Sequence, residues 1–329
     1  MDLRSTADNP VPPDAAVAWM RTRDKLTLRA ACWTSGPAAR GTVAILPGRA
    51  EFIEKYFEVI GELITRNFDV AILDWRGQGL SDRLLGNRRK GHVRRFGDYE
   101  ADLDALQDEV LAPFCRKPWF ALGHSMGGAI ALAQARAGRS PFDRIVATAP
   151  MIDLKGLRFP RMSRFLARAL SLCGFKTAFV PGGGGRPYMS SGFQGNLLTS
   201  DPERHVRFAS ILDFAPELGI GDPTIGWVDG AFRLMRGFED AEFPRRILTP
   251  TLIMAAGDDK IVDTVATETF AGRLKAGRFI TLPHARHEIL MERDAFREQF
   301  WAAFDAFVPG QDEPKQRRIR AAGDQRASA

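Results

Sequence analysis

The chain has 329 residues, 45% of them hydrophobic and 26% charged, the composition of a globular protein able to bury a substantial core. No run of 18 or more apolar residues occurs, which excludes a spanning helix and leaves membrane contact only to a protein lying on the surface. The net charge of +6 admits an anionic partner, but the arginines are scattered and no nucleic-acid motif accompanies them, so nucleic acid is not expected.

Residues 1–14 carry Pro10, Pro12 and Pro13 among scattered charges with no apolar h-region. They are expected to be a disordered tail rather than a secretory leader, and the expected location is cytoplasmic or peripheral on the inner membrane face. Residues 16–22 and 27–33, around the polar turn Arg23-Asp24-Lys25, predict an opening hairpin. The pattern then changes. Short apolar runs at 42–47 and 70–74 flank a helical period at Phe52, Tyr56, Val59, Ile60 and Leu63, which makes a βαβ unit. Residues 118–123 form another buried strand, preceded by a helix carrying Tyr99, Leu103, Leu106 and Val110 and followed at once by a helix from Ser125; residues 145–149 are the next strand. Such alternation demands a mostly parallel sheet with helices on both faces.

From 151 to about 246 the alternation stops, and helical pieces, prolines and the run Gly182 to Gly185 take its place. It resumes with strands at 250–256 and 278–282 and a last helix bearing Phe296, Phe300, Phe304 and Phe307. The expected organisation is therefore one discontinuous core, 15–150 with 247–309, interrupted by a helical cap at 151–246. Residues 310–329, polar and basic, are expected to be a second disordered tail. Cys32, Cys115 and Cys173 are odd in number and far apart, which fits buried thiols and no disulfide framework.

Gly123-His124-Ser125-Met126-Gly127 fits G-x-S-x-G between a strand and a helix. That turn strains the nucleophile's backbone, requires glycines for close packing, and sets Ser125 at a helix N-terminus that favours negative charge. A serine hydroxyl attacks only if a base removes its proton, and the base needs an acid to hold its tautomer. His92, His124 and His205 are poorly placed for this, leaving His284 and His287 after the last strand; Asp258 and Asp259 follow the strand before it. Acyl transfer also needs oxyanion donors, and the amide after the nucleophile belongs to Met126.

The stretches Leu46-Pro47-Gly48-Arg49-Ala50-Glu51-Phe52-Ile53-Glu54-Lys55-Tyr56, Asp74-Trp75-Arg76-Gly77-Gln78-Gly79-Leu80-Ser81, the serine turn, Asp259-Lys260-Ile261-Val262 and His287-Glu288-Ile289-Leu290 resemble the lysophospholipase L2 and monoacylglycerol lipase-like branch of the α/β hydrolases. The resemblance covers residues 16–308. It implies the α/β-hydrolase fold, a serine hydrolase cleaving the acyl ester of a lysophospholipid through an acyl-serine intermediate, with a monoacylglycerol or another small ester as the alternative substrate, Ser125 as nucleophile, Asp259 as acid, His287 as base, and the Arg49 amide as second oxyanion donor beside Met126. Pro47-Gly48 stands where the broader family often has His-Gly, and matches the bacterial lysophospholipase-like form better. No cofactor or metal is implied. The Arg49 guanidinium is expected to face solvent or pair with Glu51, and the Arg76–Gly79 turn to be structural.

Three features invite other readings. The glycine run lacks the Gly-Lys-Ser/Thr of a P-loop and reads as a loop of the cap. Arg161, Arg164 and Arg168 alternate with apolar residues on an amphipathic helix that packs on the core or docks on a membrane. Arg88, Arg89, Lys90, Arg94 and Arg95 form a basic loop cluster whose default is solvation. A catalytically idle binding protein of the same fold is the rival from another class.

Overall fold

In the computed structural model, which describes residues 3–188 and 192–309, eight strands form one sheet in the order β1-β2-β4-β3-β5-β6-β7-β8. The strands are β1 (Ala16–Arg21), β2 (Thr27–Trp33), β3 (Thr42–Leu46), β4 (Asp69–Leu73), β5 (Trp119–His124), β6 (Arg144–Thr148), β7 (Thr251–Ala256) and β8 (Gly277–Leu282). β1 and β2 are the predicted hairpin, and β2 runs antiparallel to β4; every pairing from β4 to β8 is parallel. β3, β4, β5 and β7 are buried at every residue, because helices cover both faces and leave no polar side to alternate with.

The crossovers and the flanking helices are α1 (Phe57–Thr65), α2 (Tyr99–Leu106), the short α3 (Ala112–Phe114) and α4 (Met126–Arg136). Between β6 and β7 lie α5 (Pro160–Leu172), α6 (Pro202–Phe214), α7 (Ile225–Glu239) and the one-turn α8 (Glu242–Arg245); α9 (Thr264–Ala271) and α10 (Asp294–Phe307) complete the set. One sheet face packs on α1 and α10 through Phe57, Ile60, Leu63, Phe300 and Phe304, the other on α2 and α4 through Tyr99, Leu103, Ile130 and Leu132. The chain leaves β3 toward β4 on one side and returns through β5 on the other. Such a reversal opens a crevice at the carboxyl ends of the two strands, and both the 47–51 turn and Ser125 lie there.

Two expectations change. Residues 3–14 are not a loose tail: Leu3 is buried against the α1 face, Asn9 Nδ2 donates to the Glu54 carbonyl at 2.9 Å, and Trp33 Nε1 donates to the Pro12 carbonyl at 3.0 Å. Their few apolar and amide groups find partners far along the chain, which local composition does not reveal. The second tail lies outside the described residues, as do Met1 and Asp2. Cys32 and Cys115 are half-buried, but Cys173 is exposed; all three are free.

Candidate active site

Ser125 follows the last residue of β5 and precedes the first of α4, with φ 49° and ψ −112°. A side-chain-bearing residue adopts this geometry only when its surroundings force it, and the glycines show the force. A Cβ on Gly127 would stand 2.0 Å from the Leu46 carbonyl oxygen, and one on Gly123 would stand 2.8 Å from the Gly128 backbone. The strand, the turn and the helix therefore approach as closely as they do only because both positions lack a side chain. The amides of Ala129 and Met151 donate to the Ser125 carbonyl at 3.0 and 3.1 Å, which clamps the turn.

Three side chains converge there. His287 Nε2 lies 3.0 Å from Ser125 Oγ, and His287 Nδ1 lies 2.8 Å from Asp259 Oδ2. A carboxylate only accepts, so Nδ1 carries the proton and Nε2 is left to accept from the serine hydroxyl. The other Asp259 oxygen accepts the amides of Ile261 and Val262 at 2.7 and 3.0 Å. Burial alone would raise the Asp259 carboxyl, but the His287 hydrogen bond and charge and those two amides outweigh it and hold it below 3.8. Asp258 is half-exposed and paired with Lys260, and His284 is an exposed turn residue at φ 65°. Of the two candidate acids and two candidate bases, the structure brings Asp259 and His287 to the serine and leaves the others outside.

The facing wall is the 47–51 turn. Arg49 lines the cavity beside the serine, Met126 follows the serine as the first residue of α4, and neither amide has an acceptor among the described residues. The turn is held from three directions: Trp75 Nε1 donates to the Pro47 carbonyl at 2.8 Å, the Gly48 amide donates to Glu51, and the Ala50 amide, at φ 63°, donates to Gln78 Oε1. Gln78 also reaches Met126 Sδ at 4.0 Å, so one side chain ties both amide-bearing segments together. Behind the turn lies a buried chain of charges. Lys55 Nζ sits 2.6 Å from Glu51 Oε1 and 2.6 Å from Glu288 Oε1, and Tyr56 donates to Glu51 at 2.6 Å. Burial opposes the charge on Lys55, but the two carboxylates outweigh it and raise its pKa. Burial pushes the neighbouring His124 imidazole down to about 4, despite Glu51, and keeps it neutral 4.9 Å from the His287 ring.

This network was not foreseen, although the Glu51–Lys55 spacing of one helical turn and the Gln78 in its turn were legible signals. The Arg49 side chain differs from expectation too. Its Nη2 donates to the Gly221 carbonyl at 2.8 Å and its guanidinium stacks over Trp227 at 5.1 Å; Lys55 occupies Glu51 instead. The arginines of α5 also divide. Arg164 pairs with Asp153 and Glu239, and Arg168 with Asp229, so only Arg161 remains without a carboxylate partner among the described residues.

A cavity of 260 Å³ opens beside Ser125 and His287. Met151, Leu154, Leu198, Phe208, Leu212, Trp227, Ile261 and Val262 make its walls mainly apolar. Phe208 of α6 stacks on Phe52 at 5.2 Å, so the residues between β6 and β7 close the cavity over the strand ends. Among the described residues no group of three or more His, Cys, Asp or Glu is placed to hold a metal ion, and no helix is long and apolar enough to cross a membrane.

Residues 37–294 match the model of the family described as serine aminopeptidase, S33. Lysophospholipase L2 of Escherichia coli strain K12 is 34% identical over 267 residues, which cover 78% of this chain and 76% of that protein. Phospholipase YtpA of Bacillus subtilis strain 168 is 25% identical over 271 residues, 81% of this chain and 94% of that protein. A soluble variant of monoglyceride lipase from Saccharomyces cerevisiae, solved with a substrate analog, superposes with a TM-score of 0.72 over 92% of this chain and 98% of its own; at 18% identity the likeness is one of fold.

Proposed function

The chain belongs to the family described as serine aminopeptidase, S33, within the α/β hydrolases, and we propose from that premise that it hydrolyses the acyl ester of a single-chain lipid, a lysophospholipid. The observation that carries this reading is the hydrogen-bonded series Ser125–His287–Asp259 opening onto an apolar cavity. His287 takes the Ser125 proton as Oγ attacks the ester carbonyl, and Asp259 stabilises the imidazolium. The Arg49 and Met126 amides receive the oxyanion. Collapse of the tetrahedral intermediate expels the glycerol alkoxide, which takes the proton from His287 and leaves acyl-Ser125. Water, deprotonated by His287, then attacks the acyl carbon and releases the fatty acid.

The family's description names a peptidase, and the cavity argues against that activity here. Reading a substrate's terminal ammonium requires an unpaired carboxylate, whereas Glu51 and Glu288 are both engaged by Lys55. The E. coli and B. subtilis relatives are named for phospholipids, which supports the lipid reading over a small ester. Residues 151–246 act as the cap that supplies the acyl groove over the core formed by 15–150 and 247–309. The outer face of α5 exposes Phe159, Met162, Phe165, Leu166 and Leu172, and the neighbouring Arg158, Arg161 and Lys176 have no carboxylate partner among the described residues. That combination suits peripheral contact with an anionic membrane surface. A hydrolysis panel tests the substrate: purified protein should release fatty acid from lysophospholipid faster than from monoacylglycerol, and should leave aminoacyl amides intact. Faster turnover of monoacylglycerol would move the assignment to the neutral lipid.

A further inference from the structure

Three arginines are buried and ion-paired. Arg29 pairs with Glu54 and Asp74, Arg76 with Asp102 and Asp24, and Arg297 with Glu58 and Glu62. Arg49 is half-buried and makes no ion pair among the described residues; Asp222 favours its charge only from beyond pairing distance. Its Nη2 spends one hydrogen on the Gly221 carbonyl and its Nε has no partner. Arg89, also half-buried, makes no ion pair among the described residues either: its Nη1 donates to the Pro216 and Gly219 carbonyls, at 2.7 and 3.3 Å. Both cations thus hang on the 216–221 segment, and Gly219 and Arg49 line the cavity that contains Ser125. Burial pulls the Arg49 pKa down to about 10, so the charge is strained by its surroundings yet present at neutral pH.

A guanidinium at a cavity wall whose shielded Nε has no acceptor is completed by an anion, and the planar donor fork fits phosphate oxygens. We propose that the Arg49 guanidinium, set over the Trp227 ring and backed by Arg89 behind Gly219, is the subsite for the phosphodiester of the lipid headgroup. The spacing suits one substrate molecule. From the Arg49 amide to its guanidinium carbon is the same number of bonds as from the ester carbon of a lysophospholipid, through glycerol, to its phosphorus. One residue therefore serves the ester with its backbone and the phosphate with its side chain. The proposal rests on the lipid-ester reading above, and it places headgroup recognition on the wall of the cavity.

The test compares kcat/KM for lysophosphatidylglycerol and for a monoacylglycerol of the same chain, both below their micellar concentrations, in the wild type, Arg49→Met and Arg49→Lys. Every variant keeps the backbone amide, so the ratio of the two substrates isolates the side chain. The ratio should fall about 10- to 100-fold in Arg49→Met, the range for a lost charge-assisted contact, and recover in part in Arg49→Lys. Equal losses on both substrates would overturn the subsite and leave Arg49 as a strut for the cap. A wild type inactive on both would overturn the ester reading itself. Should Arg49→Met fail to fold, the wild type decides: sn-glycerol 3-phosphate should compete with monoacylglycerol more weakly as salt rises, and glycerol should not compete. Absence of inhibition by the phosphate ester would overturn the proposal.

Discussion

Two regions of the molecule, the core bank of the cavity and an outer bank formed by α5, which does not line the cavity, are built by different physics. On the core bank, Asp259 is fully buried, Ser125 is 9% exposed and His287 is 5% exposed, and each sits at the carboxyl end of a strand where several backbone hydrogen bonds converge. On the outer bank, α5 leaves Phe165 69% and Leu172 67% exposed, and the helix is anchored by ion pairs from Arg164 and Arg168. The proposed chemistry thus sits where displacement is expensive, and the proposed membrane contact where apolar side chains are open to solvent.

If that division holds, changes on the core bank should act on turnover and changes on the other bank on access. The largest effect should come from Ser125→Ala and His287→Ala, each lowering kcat by on the order of 10⁴ to 10⁶ fold with the fold intact by circular dichroism; steady-state hydrolysis of a short-chain ester checks it. Asp259→Asn should cost on the order of 10³ to 10⁴ fold, because the amide can donate to Nδ1's side and favours the wrong tautomer. Asp258→Asn, at a half-exposed pair with Lys260, should cost less than about 2-fold. A reversed ranking would show the acid to be misassigned.

Substitutions on the other bank should be milder. Phe165→Asp with Leu172→Asp should weaken flotation with phosphatidylglycerol vesicles by about 10-fold, while hydrolysis of a monomeric ester, which needs neither residue, stays within about 2-fold. Equal binding of variant and wild type to vesicles would refute the membrane face. The smallest effect concerns pH. His124 is held down to about 4 against an ordinary 6.5, so between these values the unfolded chain binds more protons and stability falls as pH falls. Replacement by Gln should flatten the slope of unfolding free energy in this window by up to about 1.4 kcal/mol per pH unit. Burial holds the Asp102 carboxyl above its ordinary range, a contribution of opposite sign that cancels in the comparison. Denaturant titration at several pH values reads it.

The same division explains what was legible in the sequence. The strands were readable as short apolar runs because the sheet is covered on both faces, and Ser125 because a strand, a glycine-flanked serine and a helix are adjacent in the chain. Asp259 and His287 needed motif resemblance to separate them from Asp258 and His284, since periodicity treats neighbouring loop residues alike. The Arg49 side chain was misread: its partner Gly221 is 172 residues away, on a segment with no repeating pattern. The packing of residues 3–14 and the division among the α5 arginines escaped for the same reason. Each depends on which distant group arrives opposite, and local composition carries no record of that.

The central claim is that Ser125 carries the acyl group of a lipid ester. Rapid-quench mass spectrometry during turnover of lysophosphatidylglycerol tests it most directly. The account predicts an acyl adduct on the peptide containing Ser125 that builds within the first turnover and is absent from Ser125→Ala. Undiminished fatty-acid release by Ser125→Ala, or an adduct on another residue, would contradict it.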